Sequence, residues 1–201
     1  AGRLGQRARG EPAPAPVAER QPLGPRQPLE LGPQRRLLRR IGSQQIRNAG
    51  TLGGNLANAS PIGDTAPALL ALDASVVLRR GQDTRELPLA AFFAGCRRTA
   101  LRPGELLERI RVPRRAPGLS FRAYKVAKRF DQDISTVCGA FALVLERGRV
   151  AQVRVAFGGM AATPVRVDAV ERALLGLPWT LAAVEQVVPL LDQALAPLSD
   201  L

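Results

Sequence analysis

The sequence predicts an α+β protein built from two small units, and three observations carry that expectation. PRRAPG, Pro113 to Gly118, punctuates the chain with two prolines and a glycine in a charged link. Beyond it come three long strand candidates, Ser120–Lys128, Ser135–Glu146 and Val150–Phe157, the last two joined by a tight hairpin signal at Arg147-Gly148. Two helical patterns follow, Val167–Leu175 and Leu181–Leu195, the second with Pro189 as a kink. Strands succeeded by helices read as a small antiparallel sheet with helices on one face.

The elements before the link are shorter. Residues 1–35 are rich in Pro, Gly, Arg and Gln and follow neither a 3.6 nor a 2.0 period, so this head is expected to be disordered or aberrant. Out-of-frame translation of a GC-rich gene would give such a composition. The start at Ala1, the single Met160 and the end at Leu201 add the expectation of a fragment. RRLLRRIGSQQI, from Arg35, is a basic helix-like run broken at Gly42. The stretch IRNAGTLGGNLANASPIGD, Ile46 to Asp64, then crowds Gly, Asn, Ala and Ser together, and APALLALDA after it reads as a short buried helix. Ser75–Arg79 and Arg85–Leu89 read as a strand pair about a turn at Gly81–Asp83, LAAFFAG as a short helix, and Leu106–Val112 as a half-buried strand stopped by Pro113.

Composition removes several function classes. A 201-residue chain with 46% hydrophobic residues can bury a real core. No apolar run is long enough to span a bilayer and no signal-peptide core is present, so the expectation is a soluble, cytoplasmic protein without a membrane partner. With no histidine and only Cys96 and Cys138, the chain alone cannot assemble a zinc site, an iron–sulfur cluster or a serine-type triad. Redox chemistry would need a borrowed organic cofactor. The net charge of +12 suggests nucleic acid, but nine Arg against three acids in residues 1–40 supply half of that excess. One Trp and one Tyr give bases little to stack on, so no nucleic-acid partner is expected.

Gly50 to Asn55, GTLGGN, is the first candidate site. Its glycines allow close approach to the backbone, and successive N–H groups in such a turn can hold a diphosphate. It is neither a Walker loop nor a Rossmann fingerprint, and a plain structural turn remains the other reading. Asn55, Asn58, Ser60 and Asp64 behind it offer side chains for hydroxyls and phosphates, or for capping the turn. Lys125, taken alone, reads as a solvated charge at a strand end.

IGSQQIRNAGTLGGNLANASPIGDTAPALLALDA resembles the FAD-binding segment of the molybdenum hydroxylase flavoproteins, most closely the small subunit of the bacterial xanthine dehydrogenase type. RRTALRPGELLERIRVP, YKVAKRFDQDIS, and VAFGGMAATPVR followed by LLGLPW resemble the same subfamily in the same order. Carbon monoxide dehydrogenase-type relatives usually carry His-Ala-Asp-Pro where this chain has Asn58-Ala59-Ser60-Pro61.

The resemblance implies the second half of a PCMH-type FAD-binding domain at 36–113 and a CO-dehydrogenase-flavoprotein-like C-terminal domain, a three-stranded sheet plus helices, at 117–201. Thr51, Leu52, Gly53, Gly54 and Asn55 would wrap the FAD diphosphate, with Asn55 and Asp64 as side-chain contacts. Ile41 would pack on the flavin ring, Leu107 would touch it, and Lys125 would support it. Arg129, Asp131, Asp133 and Ile134 match a loop that helps govern access of NAD. Molybdenum cofactor and [2Fe-2S] clusters would lie elsewhere in the complex, the former on a molybdenum-binding large subunit. Two departures stand out: nothing in residues 1–34 resembles the upstream glycine-rich phosphate loop, and Cys96 stands where relatives place a tyrosine. The implied role is an electron-transfer subunit of purine oxidation; a basic nucleic-acid-binding module and an inactive remnant are the alternatives.

Overall fold

A computed structural model describes Leu37 and residues 39–114, 116–130 and 132–195. Helices α1 (Gln44–Ala49), α2 (Leu52–Ala57) and α3 (Thr65–Ala71) come first, followed by the hairpin β1 (Ser75–Arg80) and β2 (Asp83–Pro88). A 3₁₀ turn at Leu89–Phe92, the ribbon β3 (Phe93–Gly95) and β4 (Arg98–Thr99), and β5 (Leu106–Arg111) complete the first part. After the link come β6 (Ser120–Val126), β7 (Val137–Glu146), β8 (Arg149–Gly158), β9 (Val165–Arg166), α4 (Asp168–Leu174) and α5 (Leu181–Ala194). No described helix is long and apolar enough to cross a membrane.

Two sheets organise these elements, in orders β2-β1-β5 and β6-β7-β8-β9, and their strands pair antiparallel throughout the described residues. The expected three strands after the link are present, and β9 adds a short fourth. LAAFFAG differs from its expectation: Leu89 and Phe92 are buried by a single 3₁₀ turn, and the chain then extends into β3. Seven residues that must bury two side chains and then reverse at Cys96-Arg97 leave no length for an α-helix.

The second sheet sorts its side chains by size. On one face Cys138, Ala140, Ala142 and Ala156 are almost fully buried, and a Cβ added at Gly158 would lie 3.0 Å from Pro67 Cγ. This floor of small residues lets α3 lie close on β7 and β8. Helix α3 is buried on every side, which is what its all-round apolar sequence TAPALLA requires. The opposite face carries the large residues, with Phe141 and Phe157 in edge-to-face contact at 5.8 Å, and packs under Val170, Leu174 and Val187 of the last two helices. One core joins both sides of the 113–118 link, since Leu56, Leu69, Val76, Leu78, Phe92, Phe121 and Ala140 share it. Helix α5 runs through Pro189, whose missing N–H leaves one helical hydrogen bond unmade.

The turn before β5 carries a pH-sensitive tie. Arg85 of β2 grips Glu105 with two hydrogen bonds of 2.7 Å, and the Arg102 amide adds a third at 2.8 Å. Those bonds, the Arg85 side chain foremost, hold the Glu105 carboxyl at about 2, against an ordinary value of 4.5. The folded state therefore gains from this group above its unfolded value, and the gain is lost as pH falls from 4.5 towards 2. Glu105→Gln is expected to flatten the stability profile in that window, measured by denaturant unfolding at stepped pH.

Candidate functional site

The glycine stretch folds as a short helix rather than an open turn. Thr51, in an extended conformation, is the N-cap of α2, and its Oγ1 accepts from the Gly54 amide at 3.0 Å. A Cβ at Gly54 would sit 2.9 Å from that Oγ1, so a larger residue there would require the Thr51 side chain to shift. No acidic side chain lies in the first turn, and the amides of Leu52 and Gly53 have no acceptor among the described residues. Thr51, Leu52 and Gly54 are exposed, so these donors face solvent. Beneath them, the Cβ position of Gly53 lies 3.5 Å from Leu107 Cδ2 of β5. The sequence shows where backbone is bare; the helix follows from Leu56, almost fully buried in the core, which fixes the turn's direction. Thr51→Ala is expected to lose about 1 kcal/mol and Thr51→Ser almost nothing, readable by thermal unfolding.

The opposite side of the site is a buried polar cluster. Period-two alternation along β6 puts Phe121, Ala123 and Lys125 on the core face, with Lys125 opposite Cys138. The Lys125 side chain is only 4% exposed, and its Nζ donates to Asp64 Oδ2 at 2.8 Å. The Ser135 hydroxyl donates to Asp64 Oδ1, and the Cys138 thiol reaches the Asp64 carbonyl at 3.6 Å. Burial first, then the Asp64 charge, pushes the Cys138 thiol up to about 12, so it stays protonated.

Asp64 occupies the N-cap position of α3 yet makes no capping bond. Its backbone is α-helical rather than extended, which turns the carboxylate away from the helix amides and towards Lys125 and Ser135. Asn55 connects the two sides, since its Oδ1 accepts from the Thr65 hydroxyl, adjacent to Asp64.

Ile41 is half-buried before Gly42, and both carbonyls accept from Arg47 Nη1, at 3.2 and 2.7 Å. Arg129, Asp133 and Ile134 form a turn of their own: the Arg129 and Ile134 amides donate to the Asp133 carboxylate at 2.8 and 2.9 Å. These bonds, the Arg129 amide foremost, hold the Asp133 carboxyl below its usual range. Asp131 lies outside the described residues. None of the three described loop residues is hydrogen-bonded to the Thr51–Asn55 turn. Cys96 is exposed in the β3–β4 turn, whose Arg97 amide donates to the Ala59 carbonyl at 3.0 Å.

Sequence reasoning missed Arg40 and Ser135. Arg40 Nη1 donates to the Lys125 carbonyl at 2.9 Å, its Nη2 to the Phe130 carbonyl at 3.0 Å, and its guanidinium lies 4.9 Å from the centre of the Phe130 ring. Both contacts span more than 70 residues, and neither side chain has a local pattern that announces its partner.

Open backbone donors at an acid-free helix start are joined through Asn55 and Thr65 to a buried carboxylate–ammonium pair, an arrangement suited to an anionic ligand. Comparison with known proteins gives the cofactor. Residues 15–115 match the FAD binding domain in molybdopterin dehydrogenase, and residues 122–201 match the CO dehydrogenase flavoprotein C-terminal domain. The chain belongs to this flavoprotein family of oxidoreductases, and the family's cofactor is FAD.

The chain is 41% identical over 158 residues to nicotinate hydroxylase hnxS of Emericella nidulans, covering 76% of this chain and 12% of that protein. It is 36% identical over 155 residues to the nicotinate dehydrogenase FAD-subunit of Eubacterium barkeri, covering 75% of this chain and 52% of the relative. A carbon monoxide dehydrogenase from Hydrogenophaga pseudoflava, lacking the Mo-pyranopterin moiety of its cofactor, superposes with a TM-score of 0.77 at 31% identity, over 81% of this chain and 56% of that one. The chain thus spans about half the length of the FAD subunit and a ninth to an eighth of the larger relatives.

The residues present fit FAD. The unaccepted Leu52 and Gly53 amides suit a diphosphate, because helix-start N–H groups carry partial positive charge.

Proposed function

We propose that this chain is the flavin-holding part of a xanthine dehydrogenase-like molybdenum hydroxylase, in which electrons pass from iron–sulfur clusters through FAD to NAD. The observation that carries the proposal is the junction of the open α2 amides with the Asp64–Lys125 pair, bridged by Asn55 and Thr65. When bound, FAD supplies a meeting point between one-electron donors and a two-electron acceptor.

Each residue then has a task. Thr51 to Asn55 bind the diphosphate, with Thr51 holding the helix start in shape. Ile41 and Leu107 offer apolar contact to the ring, and Leu107 supports Gly53 from below. Asp64 pairs with Lys125 in a buried setting, and a fixed cation favours electron-rich forms of the ring. Arg129, Asp133 and Ile134 line the approach for NAD.

Relatives named for nicotinate and xanthine support a nitrogen heterocycle as the substrate, oxidised on a molybdenum-binding partner subunit. Asn58-Ala59-Ser60-Pro61, where carbon monoxide dehydrogenase-type relatives usually carry His-Ala-Asp-Pro, favours the xanthine type over that one. The test is reconstitution: the full chain is mixed with FAD, freed of excess by gel filtration, and its visible spectrum recorded. A flavin band that travels with the protein and bleaches with NADH is the expected result. Elution without flavin would sink the proposal.

A further inference from the structure

We infer that Ser135 and Arg40 are positioning residues that hold the Lys125 ammonium with one N–H reserved for the cofactor, an inference that rests on the function proposed above. Lys125 Nζ donates to Asp64 Oδ2 at 2.8 Å and to the Arg40 carbonyl at 3.3 Å. An ammonium has three donors, and the third has no acceptor among the described residues although the side chain is only 4% exposed. A buried donor left open in this way is the mark of a ligand that completes it.

Two groups fix the direction of that donor. The carboxylate of Asp64 is prevented from rotating because Ser135, itself 4% exposed, occupies its other oxygen. The strand end is held by Arg40, which donates to the Lys125 carbonyl while its own carbonyl accepts from Nζ. Arg40 and Lys125 therefore clasp each other across 85 residues, and Arg40 continues to the Phe130 carbonyl and ring. Thr136 N–H to Val126 carbonyl, 2.9 Å, closes β6 and β7 behind Ser135, so the hydroxyl is delivered to Asp64 by the sheet register.

The composition supplies a clean assay, because Lys125 and Lys128 are the only lysines in the chain and Lys128 is exposed. The full chain is acetylated with an amine-reactive reagent and both sites are followed by mass spectrometry. Lys125 is expected to react at least about tenfold more slowly than Lys128, and Ser135→Ala or Arg40→Ala to speed Lys125 alone by about fivefold or more, since the first removes the hydrogen bond that fixes Asp64 and the second the side-chain bonds that hold the strand end. Ser135→Thr, which keeps the hydroxyl, should restore protection. In the FAD-loaded protein the same two alanine variants should shift the flavin midpoint potential and weaken FAD binding.

Equal labelling of the two lysines in the unmodified chain, or no change at Lys125 in either variant, overturns the inference. Faster labelling with flavin affinity and potential both unmoved overturns its cofactor-directed part. If the unmodified chain takes up no FAD, the proposed function fails on that result, and the labelling still decides whether Ser135 and Arg40 position Lys125.

Discussion

Replacing Asp64 with Ala is expected to cost about 3–5 kcal/mol of folding stability, because it leaves an ammonium buried without its counter-charge. The Lys125 and Asp64 side chains are 4% and 6% exposed, so water cannot take over the lost partner without opening the sheet. Ser135 loses its acceptor in the same step. Urea unfolding of the variant should show a large drop in midpoint at unchanged slope, together with loss of flavin loading. Lys125→Met in the Asp64→Ala background should recover part of the loss, since the stranded charge is removed and an apolar chain of similar length remains. A loss below about 1 kcal/mol would show a pair exposed to solvent, in the range of surface ion pairs.

Gly159→Ala is expected to destabilise by at least about 3 kcal/mol, by a different cause. Gly159 has φ +84, a conformation that side chains strain to adopt, and an added Cβ would fall well inside contact with the Thr136 carbonyl. That oxygen belongs to backbone and cannot swing away. The Gly159 amide also donates to the Pro61 carbonyl at 2.8 Å, so movement there drags the segment leading into Asp64. Stability and FAD affinity should fall together. Gly148→Ala is the control: its φ is +75, but nothing lies within 4 Å of its Cβ position, so it should lose only the cost of the conformation and leave flavin binding alone.

Much of the fold was legible because its signals are local. The β7–β8 hairpin follows from two long apolar strands around Arg147-Gly148, where both residues adopt positive φ. The buried helix after Pro61 follows from a run with no polar face. The glycine stretch was less legible. Bare backbone marked it as either a structural turn or a place for an anion, and its helical form depends on Leu56 entering a core built from residues up to a hundred positions away.

Asp64 illustrates the division most clearly. An aspartate one residue before an apolar helix reads as a cap, and family resemblance reads it as a phosphate contact. The structure gives each carboxylate oxygen one side-chain donor, Lys125 on Oδ2 and Ser135 on Oδ1.

The order and type of most elements, the bare backbone at Gly50–Asn55 and the need for an organic cofactor for any redox chemistry all come from composition and from patterns within reach of a few neighbouring residues. The Asp64–Lys125–Ser135 cluster, the Arg40 clasp and the dependence of Gly159 on Thr136 come from packing, which joins residues 85, 71 and 23 positions apart. A charge's environment is set by what surrounds it in space, and in β6 a one-residue change of register would have put Lys125 in water.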